Sequence, residues 1–489
     1  MSLNLTMFDV CPKDIMGDVY FKNSFLKLYS GSDSIDSLTE HGFQHLSAVR
    51  EIPGEDLEDL ETPWGYGGPV ATDLDSFWRG IGKWRQRQSD KGRVAEFIRL
   101  HPFLNPLAYR GWFDQIRFDR LTVLVDLLES NQLRRQYYTK GTKYSLRFAE
   151  KHLTIRSLEA GEGFIFKKLY ETGLSRNNAK KLYYFPLSHF ETLISASWSD
   201  VRIAEHNGKA LAVACFIHSR PFTHYHLSGG SEEARDFFAH HLLVEDAIRR
   251  YSNSGYRWMH LGGGRESSLD DSLLKFKTRF SPHRIAFYTG GLIFDRAAYD
   301  NLSRDRRGRF LSYRFQHIPE LRDEDTTLRP ALKEDFSLFF RLKCDIDNIV
   351  WSGYAAPPSW LDLEVWYNGH IKGNSERTIL IGESGSRRIG YVYIDQYESH
   401  IEMTLGIATS EAGRGMGRSL LTLAIQGLEQ KGDKRPIEAW LYEKNYASIK
   451  AFEAAGFRKN ISRTSKNSNT PLTGDAQKQF CWIRSTLDA

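Results

Sequence analysis

The distribution of apolar and polar positions predicts the same succession of elements at two places in the chain. Toward the C-terminus, Arg377–Glu383 reads as a strand, Ser384-Gly-Ser-Arg387 as a turn, and Arg388–Gln396 and His400–Ile407 as further strands. A loop leads into an amphipathic helix from about Gly417 to Gln430, followed by strands at Ile437–Tyr442 and Gln479–Thr486. Earlier in the chain, Asp200–Glu205, the turn Asn207-Gly208, Leu211–Ser219 and His224–Ser228 repeat the strand order, and a helix over Glu232–Tyr251 and a strand at Trp258–Leu261 complete it. Asn-Gly between two strand-like runs is a strong hairpin signal. The plan is an antiparallel meander, then a helix, then a strand. A third, more diverged copy is expected before Leu146, where Gly68–Val70, a helix around Phe77–Lys91 and Glu96–Leu100 allow it.

The fold class expected from this is α/β (α+β), with tandem domains that each hold a mixed, mostly antiparallel sheet flanked by helices. The segment from Asn301 through Arg309 to Asp323-Glu-Asp-Thr-Thr327 is highly charged and weakly periodic, so the main boundary falls there. The expected domains are 1–145, 146–315 and 325–489, consistent with a 489-residue chain too long for one core.

Composition narrows the class of protein. With 41% hydrophobic and 26% charged residues the chain reads as soluble and globular. It has no apolar run long enough for a membrane span, and its first residues lack the pattern of a signal peptide. Cys11, Cys215, Cys344 and Cys481 are widely separated, as reduced cytoplasmic thiols would be. The net charge is only +5, but Asn131–Tyr184 carries twelve Lys or Arg against four Glu. That excess suits either a phosphate-rich partner such as RNA or a set of solvated helix faces.

Two segments carry chemistry. Gly413, Gly415 and Gly417 alternate just before the helix, with Arg414, Met416 and Arg418 between and after them. Glycines let backbone N–H groups converge, and a helix N-terminus adds unpaired donors, so the loop suits a pyrophosphate. A dinucleotide-binding loop would follow a parallel strand, whereas this one follows an antiparallel meander. Asn445-Tyr-Ala-Ser-Ile-Lys-Ala-Phe452-Glu-Ala-Ala-Gly456-Phe457 follows the next strand. With the glycine loop, it resembles the GNAT superfamily of acyl-CoA N-acyltransferases over roughly Leu328–Ser485. The resemblance implies that strands splay apart at the loop and that acyl-CoA (acetyl-CoA or another) binds at Ile407, Gly413–Arg418 and Asn445. Two positions depart from the family: Ala412 stands where Gln or Arg is usual, and Phe452 where a tyrosine often protonates the leaving thiolate, which a phenyl ring cannot do. Glu402, with Glu398 behind it, is the candidate base for an attacking ammonium; the alternative is an ordinary strand-face carboxylate.

The second segment set lies in the first 320 residues. Glu61-Thr-Pro-Trp64-Gly-Tyr66-Gly-Gly-Pro69 is an aromatic-glycine loop, and Leu261-Gly-Gly-Gly264 follows a strand. Leu274-Lys-Phe276-Lys277-Thr-Arg-Phe280 and Phe287-Tyr-Thr-Gly-Gly-Leu-Ile-Phe-Asp295 come next. Together these resemble the Fem-type, FemAB-like aminoacyl-tRNA-dependent peptidyltransferases, themselves tandem GNAT-like domains, over roughly Tyr20–Leu302. The resemblance implies that Phe276-Lys277 face an aminoacyl ester and that Lys180, Tyr184 and Tyr225 hold the acceptor's phosphates. Trp64 and Tyr66 are candidate substrate contacts, or they pack a turn. Lys275, Lys277 and Arg279 could equally form a solvated face, and the glycine triplet a plain turn.

Two motifs are set aside. Arg79-Gly-Ile-Gly82 imitates a phosphate loop within an apparent helix, and His224-Tyr-His226 with His240-His241 lacks an acidic or cysteine partner at metal-site spacing. No metal is expected. The expected activity is amide formation, from aminoacyl-tRNA, from acyl-CoA, or from both, onto an amine-bearing small molecule, peptide or sugar of a cell-wall, polysaccharide or natural-product pathway. The alternatives are a Fem-like part that only binds an acceptor acetylated by the C-terminal domain, and a C-terminal domain that is a non-catalytic ligand-binding module.

Overall fold

The computed structural model describes residues 5–30, 34–177, 179–268, 270–304, 310–314, 326–372, 376–385, 387–463, 466–468 and 477–484. Part of the charged segment at 301–327 and the end of the expected final strand lie outside them. The chain divides into two compact units. The larger comprises Phe8–Leu104 with Asp119–Phe287; the other comprises Met1–Met7, Asn105–Phe118 and Tyr288–Ala489.

The meander–helix–strand plan occurs three times, each closing with a parallel strand pair. In the C-terminal unit, Arg377–Ser384, Arg387–Gln396 and Ile401–Ile407 pair antiparallel. The helix Met416–Gln430 returns the chain to Ile437–Tyr442, which runs parallel to Ile401–Ile407. In the larger unit, Ser199–His206, Lys209–Ser219 and Phe222–Gly230 form the meander, Ala239–Asn253 the helix, and Trp258–Gly263 the parallel strand. The earliest copy uses Ile35–Glu40, Phe43–Glu51 and Glu58–Glu61, the helix Leu74–Asp90, and Ala95–Arg99 parallel to Glu58–Glu61. Its meander therefore lies earlier than the Gly68–Val70 strand expected from the sequence. In the larger unit the helix starts at Ala239 rather than Glu232, because Phe238 adopts the left-handed conformation (φ 53°) and breaks the hydrogen-bond ladder behind it. Arg79–Gly82 lies within the helix Leu74–Asp90, where a side chain on Gly80 would collide with the Phe43 ring.

The period-two alternation divides each sheet into two faces. In the strand Ile401–Ile407, Ile401, Met403, Leu405 and Ile407 pack with Leu420, Leu421 and Ala424 of the long helix. Glu402, Thr404 and Gly406 then face the other way. The larger unit's core is built alike, from Ala212, Ala214 and Phe216 against Leu243, Ala247 and Ile248.

Candidate active sites

In each unit the parallel strands pair for only a few residues and then part. Ile401–Ile407 meets Ile437–Tyr442 at two positions, Ile401↔Ile437 and Glu402↔Glu438. Phe222–Gly230 meets Trp258–Gly263 at three, ending on His224↔His260. Beyond these last pairs the two backbone edges are no longer paired with each other.

In the C-terminal unit the loop after the splayed strand has the shape that a pyrophosphate needs. Gly413 and Gly415 lie at φ 79° and 80°, and a Cβ on either would meet open space. Gly415 caps the helix Met416–Gln430, whose first N–H groups are thus directed into that space. Gly417 sits where the helix crosses the strand: a Cβ there would lie 3.2 Å from Leu405. These residues fit a coenzyme A pyrophosphate. Arg414 is bound to Glu411 at 3.0 Å, and Glu411 also takes Arg387, so its charge is shared; Arg418 is exposed. Ile407 is partly buried against the core, and its carbonyl accepts from Asn348 Nδ2. Asn445 caps the helix Tyr446–Ala454, its Oδ1 accepting from Ser448 N. Phe452 is 1% exposed and packs edge-on against Phe457.

Glu402 stands at the apex of the splay on the face away from the helix. Its strand neighbours are Asp395 on one side and Glu438 on the other, and each of those has a cation: Arg377 for Asp395, Arg463 for Glu438.

The larger unit's site is organised by Lys277. Asp271 caps the short helix Ser272–Lys277 by accepting from Leu273 N and Leu274 N. This sets Lys277 at the helix end, where its Nζ donates to the Gly263 carbonyl at 2.7 Å. Gly262, at φ 73°, leaves the space: a Cβ there would lie 3.2 Å from Lys277 Nζ and 3.9 Å from Tyr66 Oη. Tyr66 in turn packs edge-on against Tyr20, His260 and Phe287, and the Lys277 amine lies 5.8 Å from the centre of the Tyr225 ring. Burial outweighs Asp271 and pushes the Lys277 amine down to about 7; burial likewise pushes the Tyr66 phenol up.

Tyr66, Lys277 and Tyr225 are therefore brought together. Phe276 is not: its partly buried ring packs against His241 and Phe280 at the margin of the hydrophobic core. Trp64 stacks on Tyr29 and meets Tyr183 and Phe185 edge-on, so it holds the segment that also carries Lys180 and Tyr184. Both of those are exposed. The aromatic-glycine loop is held by Arg99, which donates to the Gly65, Thr62 and Pro63 carbonyls and pairs with Glu61.

Sequence reasoning missed the buried centre behind this site. Asp18, fully buried, lies 2.9 Å from His101 Nε2 and 2.8 Å from His224 Nε2, and accepts from Ser219 Oγ and the Val19 N–H. Burial raises the Asp18 carboxyl, but His224 and His101 outweigh it and hold the group far below its ordinary value. The acidic partner that seemed lacking for His224 is thus supplied from 206 residues away. One ligand atom from each of these three side chains falls within 4.8 Å of the others, yet the contacts are hydrogen bonds to one carboxylate. His224 contacts both Tyr20 and His260, which connects the centre to Tyr66.

Residues 196–294 match the FemAB family, and residues 325–458 match the acetyltransferase (GNAT) domain. No curated protein matches the chain by sequence. Among solved structures, FemX is similar at 9% identity and TM-score 0.47, over 60% of this chain and 99% of that one. The C-terminal domain of a putative lysylphosphatidylglycerol synthetase from Agrobacterium fabrum is similar at 16% identity and TM-score 0.40, over 59% and 91%. A spermidine N-acetyltransferase from Vibrio cholerae, in complex with CoA and spermine, is similar at 19% identity and TM-score 0.30, over 33% and 96%.

The two family matches define the class: the protein is an acyltransferase that forms amide bonds. More particularly, it joins a FemAB-family segment to a C-terminal GNAT acetyltransferase domain.

Proposed function

We propose that the protein forms amide bonds at two splayed-strand sites, transferring an aminoacyl group from aminoacyl-tRNA in the larger unit and an acyl group from acyl-CoA in the C-terminal unit. The acceptor is an amine in a cell-wall, polysaccharide or natural-product pathway. In this reading the larger unit holds two Fem-like halves, divided near residue 145, and the GNAT domain begins near 325. The observation that carries the first site is the buried Lys277 amine, set beside Tyr66 in the opening between two parted strands. In its charged form Lys277 stabilises the oxyanion that develops when an amine attacks the ester, in a place where water does not screen the charge.

The tRNA would be held by the basic surface. A groove of about 730 Å³ is lined by Lys167, Lys168 and Arg176 together with Glu171 and Glu232, and Lys167 is paired with Glu171. Lys180 and Lys181 are exposed nearby in sequence. Other cations of the stretch serve the fold instead: Arg135 pairs with Glu245, and Arg156 with Glu162 and Glu205. In the second site, bound acyl-CoA supplies a thioester-activated acyl group, and Glu402 takes the proton of the attacking ammonium.

The test is incubation of the purified protein with charged tRNAs and a panel of amines, with acyl-CoA in parallel. Transfer of labelled amino acid that is lost in Lys277→Met supports the first site. No transfer from any charged tRNA removes it. The second reading, acylation by the C-terminal unit alone, is favoured by the open cradle at Gly413 and Gly415 and then stands if thiol release persists.

A further inference from the structure

On the face of the C-terminal sheet turned away from the glycine-loop helix, a lysine is enclosed by aromatic rings. Lys343, the last residue of the helix Phe336–Lys343, places its Nζ 4.8 Å from the centre of the Tyr391 ring, 4.9 Å from Tyr393 and 5.7 Å from Phe339. Trp366 extends the wall, 6.0 Å from Phe339 and 5.8 Å from Tyr393. Among the described residues, Lys343 has no carboxylate partner. The nearby Arg377 is already engaged by Asp395; burial, and after it the Arg377 charge, pushes the Lys343 amine down to about 7. An independent observation concerns the same wall: the Tyr393 hydroxyl is buried with no hydrogen-bond partner. A buried phenol without a partner is destabilising, so a ligand that accepts from it relieves that cost.

The box belongs beside the splay. Tyr391 pairs with Gly406, and its ring occupies the space that a Gly406 side chain would fill. The helix end is tied to the strand end and the loop: Asn348 donates to both the Leu342 and Ile407 carbonyls, and Asp345 accepts from Thr409 N. Tyr393 pairs with the exposed Thr404, two residues along from Glu402. The box is therefore on the face where Glu402 stands, opposite the core packing of the pyrophosphate helix.

We propose that this box is a carboxylate-binding subsite, in which Lys343 and the Tyr393 hydroxyl hold the carboxylate of a small amino-acid-type acceptor of the C-terminal domain. One ammonium and one phenol are two donor groups that carry a single positive charge, which matches the single negative charge of a carboxylate; a phosphate dianion would call for more charge, in a wall otherwise made of rings. The identification of the ligand as the acyl acceptor rests on the acyl-CoA reading above, while the carboxylate subsite itself does not.

The experiment is thermal unfolding of the full chain with each L-amino acid, β-alanine and γ-aminobutyrate at 10 mM, against the matching carboxamides, with CoA titrated separately. At least one carboxylate is expected to raise Tm by two degrees or more while its carboxamide does not. Lys343→Met should abolish that shift, and Tyr393→Phe should raise the half-saturating concentration about tenfold with CoA binding unchanged. Should Lys343→Met fail to fold, Tyr393→Phe decides alone. The proposal is overturned if no carboxylate shifts Tm, if carboxamides act equally, or if Tyr393→Phe keeps the wild-type half-saturating concentration. Absence of CoA binding alone would retire the acyl-CoA reading and leave the Tm result to judge the subsite.

Discussion

His224 and His260 face each other as the last paired residues of two parallel strands, the position that Glu402 and Glu438 hold in the C-terminal unit. One supersecondary plan therefore carries imidazoles at its apex in one unit and carboxylates in the other. In the first, the histidines connect a buried carboxylate to the aromatic wall of the Lys277 pocket. In the second, two carboxylates stand at the apex, and the proposed acyl-CoA reaction would use Glu402 to take the proton of the attacking ammonium.

Lys277 should give the larger unit's reaction a distinctive pH dependence. A cation that stabilises an oxyanion is lost as the amine deprotonates, so transfer from charged tRNA should fall as pH rises through about 7, or through a higher value once the anionic substrate is bound. Lys277→Met should lower kcat by about 10²–10³-fold and remove this alkaline limb. A rate that instead rises through pH 7 would identify the amine as a base.

The same residue and Lys343 couple stability to pH. Each is pushed down to about 7 when folded and titrates near 10.4 when unfolded. Between these values the unfolded chain binds more protons than the native one, so stability rises with pH across the window from about 7 to about 10. Melting curves from pH 6 to 9.5 should show Tm increasing, and Lys277→Met should flatten part of the slope. The variant should also be no less stable at pH 7, because it removes a buried amine whose charge is costly.

Much of the C-terminal site could be read from the chain because its signals are local. Glycine spacing, a strand before it and a helix after it are contiguous, and the loop folds as that spacing implies. Lys277 was likewise marked by its neighbours, though Phe276 beside it turns away toward His241 and Phe280, because a six-residue helix points adjacent side chains in different directions. What remained hidden was non-local. Asp18 meets His101 and His224 only through tertiary folding, and Lys343 gains its aromatic walls from strands about 50 residues later. No spacing rule connects such residues; a period-two pattern tells which face a side chain takes, not what covers that face.

Gly415→Glu should separate binding from folding. A Cβ at Gly415 meets nothing in the protein, so the cost is confined to a left-handed conformation, about 1 kcal/mol, plus a carboxylate facing the pyrophosphate. Titration should show CoA affinity reduced tenfold or more while Tm falls by only a few degrees.

If the basic surface holds tRNA, affinity should depend steeply on salt. Replacing Lys167, Lys168, Lys180 and Lys181 with Ala should weaken binding of charged tRNA and reduce the slope of log K against log salt by about 0.7–0.9 for each lost phosphate contact. Arg156→Ala should lower stability instead, since its guanidinium pairs with Glu162 and Glu205. Equal slopes for wild type and the four-lysine variant would place the tRNA elsewhere.

Phe452 provides the sharpest contrast between motif and structure. It occupies a position where relatives often carry an acidic tyrosine, so restoring the phenol is the obvious attempt to increase acyl-CoA turnover. The packing argues otherwise. The ring is 1% exposed, lies against Phe457 and belongs to the cluster that joins the long helix to the sheet. A hydroxyl added there has to find a partner or displace its neighbours, at about 1–3 kcal/mol. Phe452→Tyr should therefore lower Tm by several degrees and leave thiol release from acetyl-CoA unchanged. A faster turnover at undiminished stability would show that the helix Tyr446–Ala454 can turn this side chain toward the cleft, and that the family's acid is absent only for want of one oxygen.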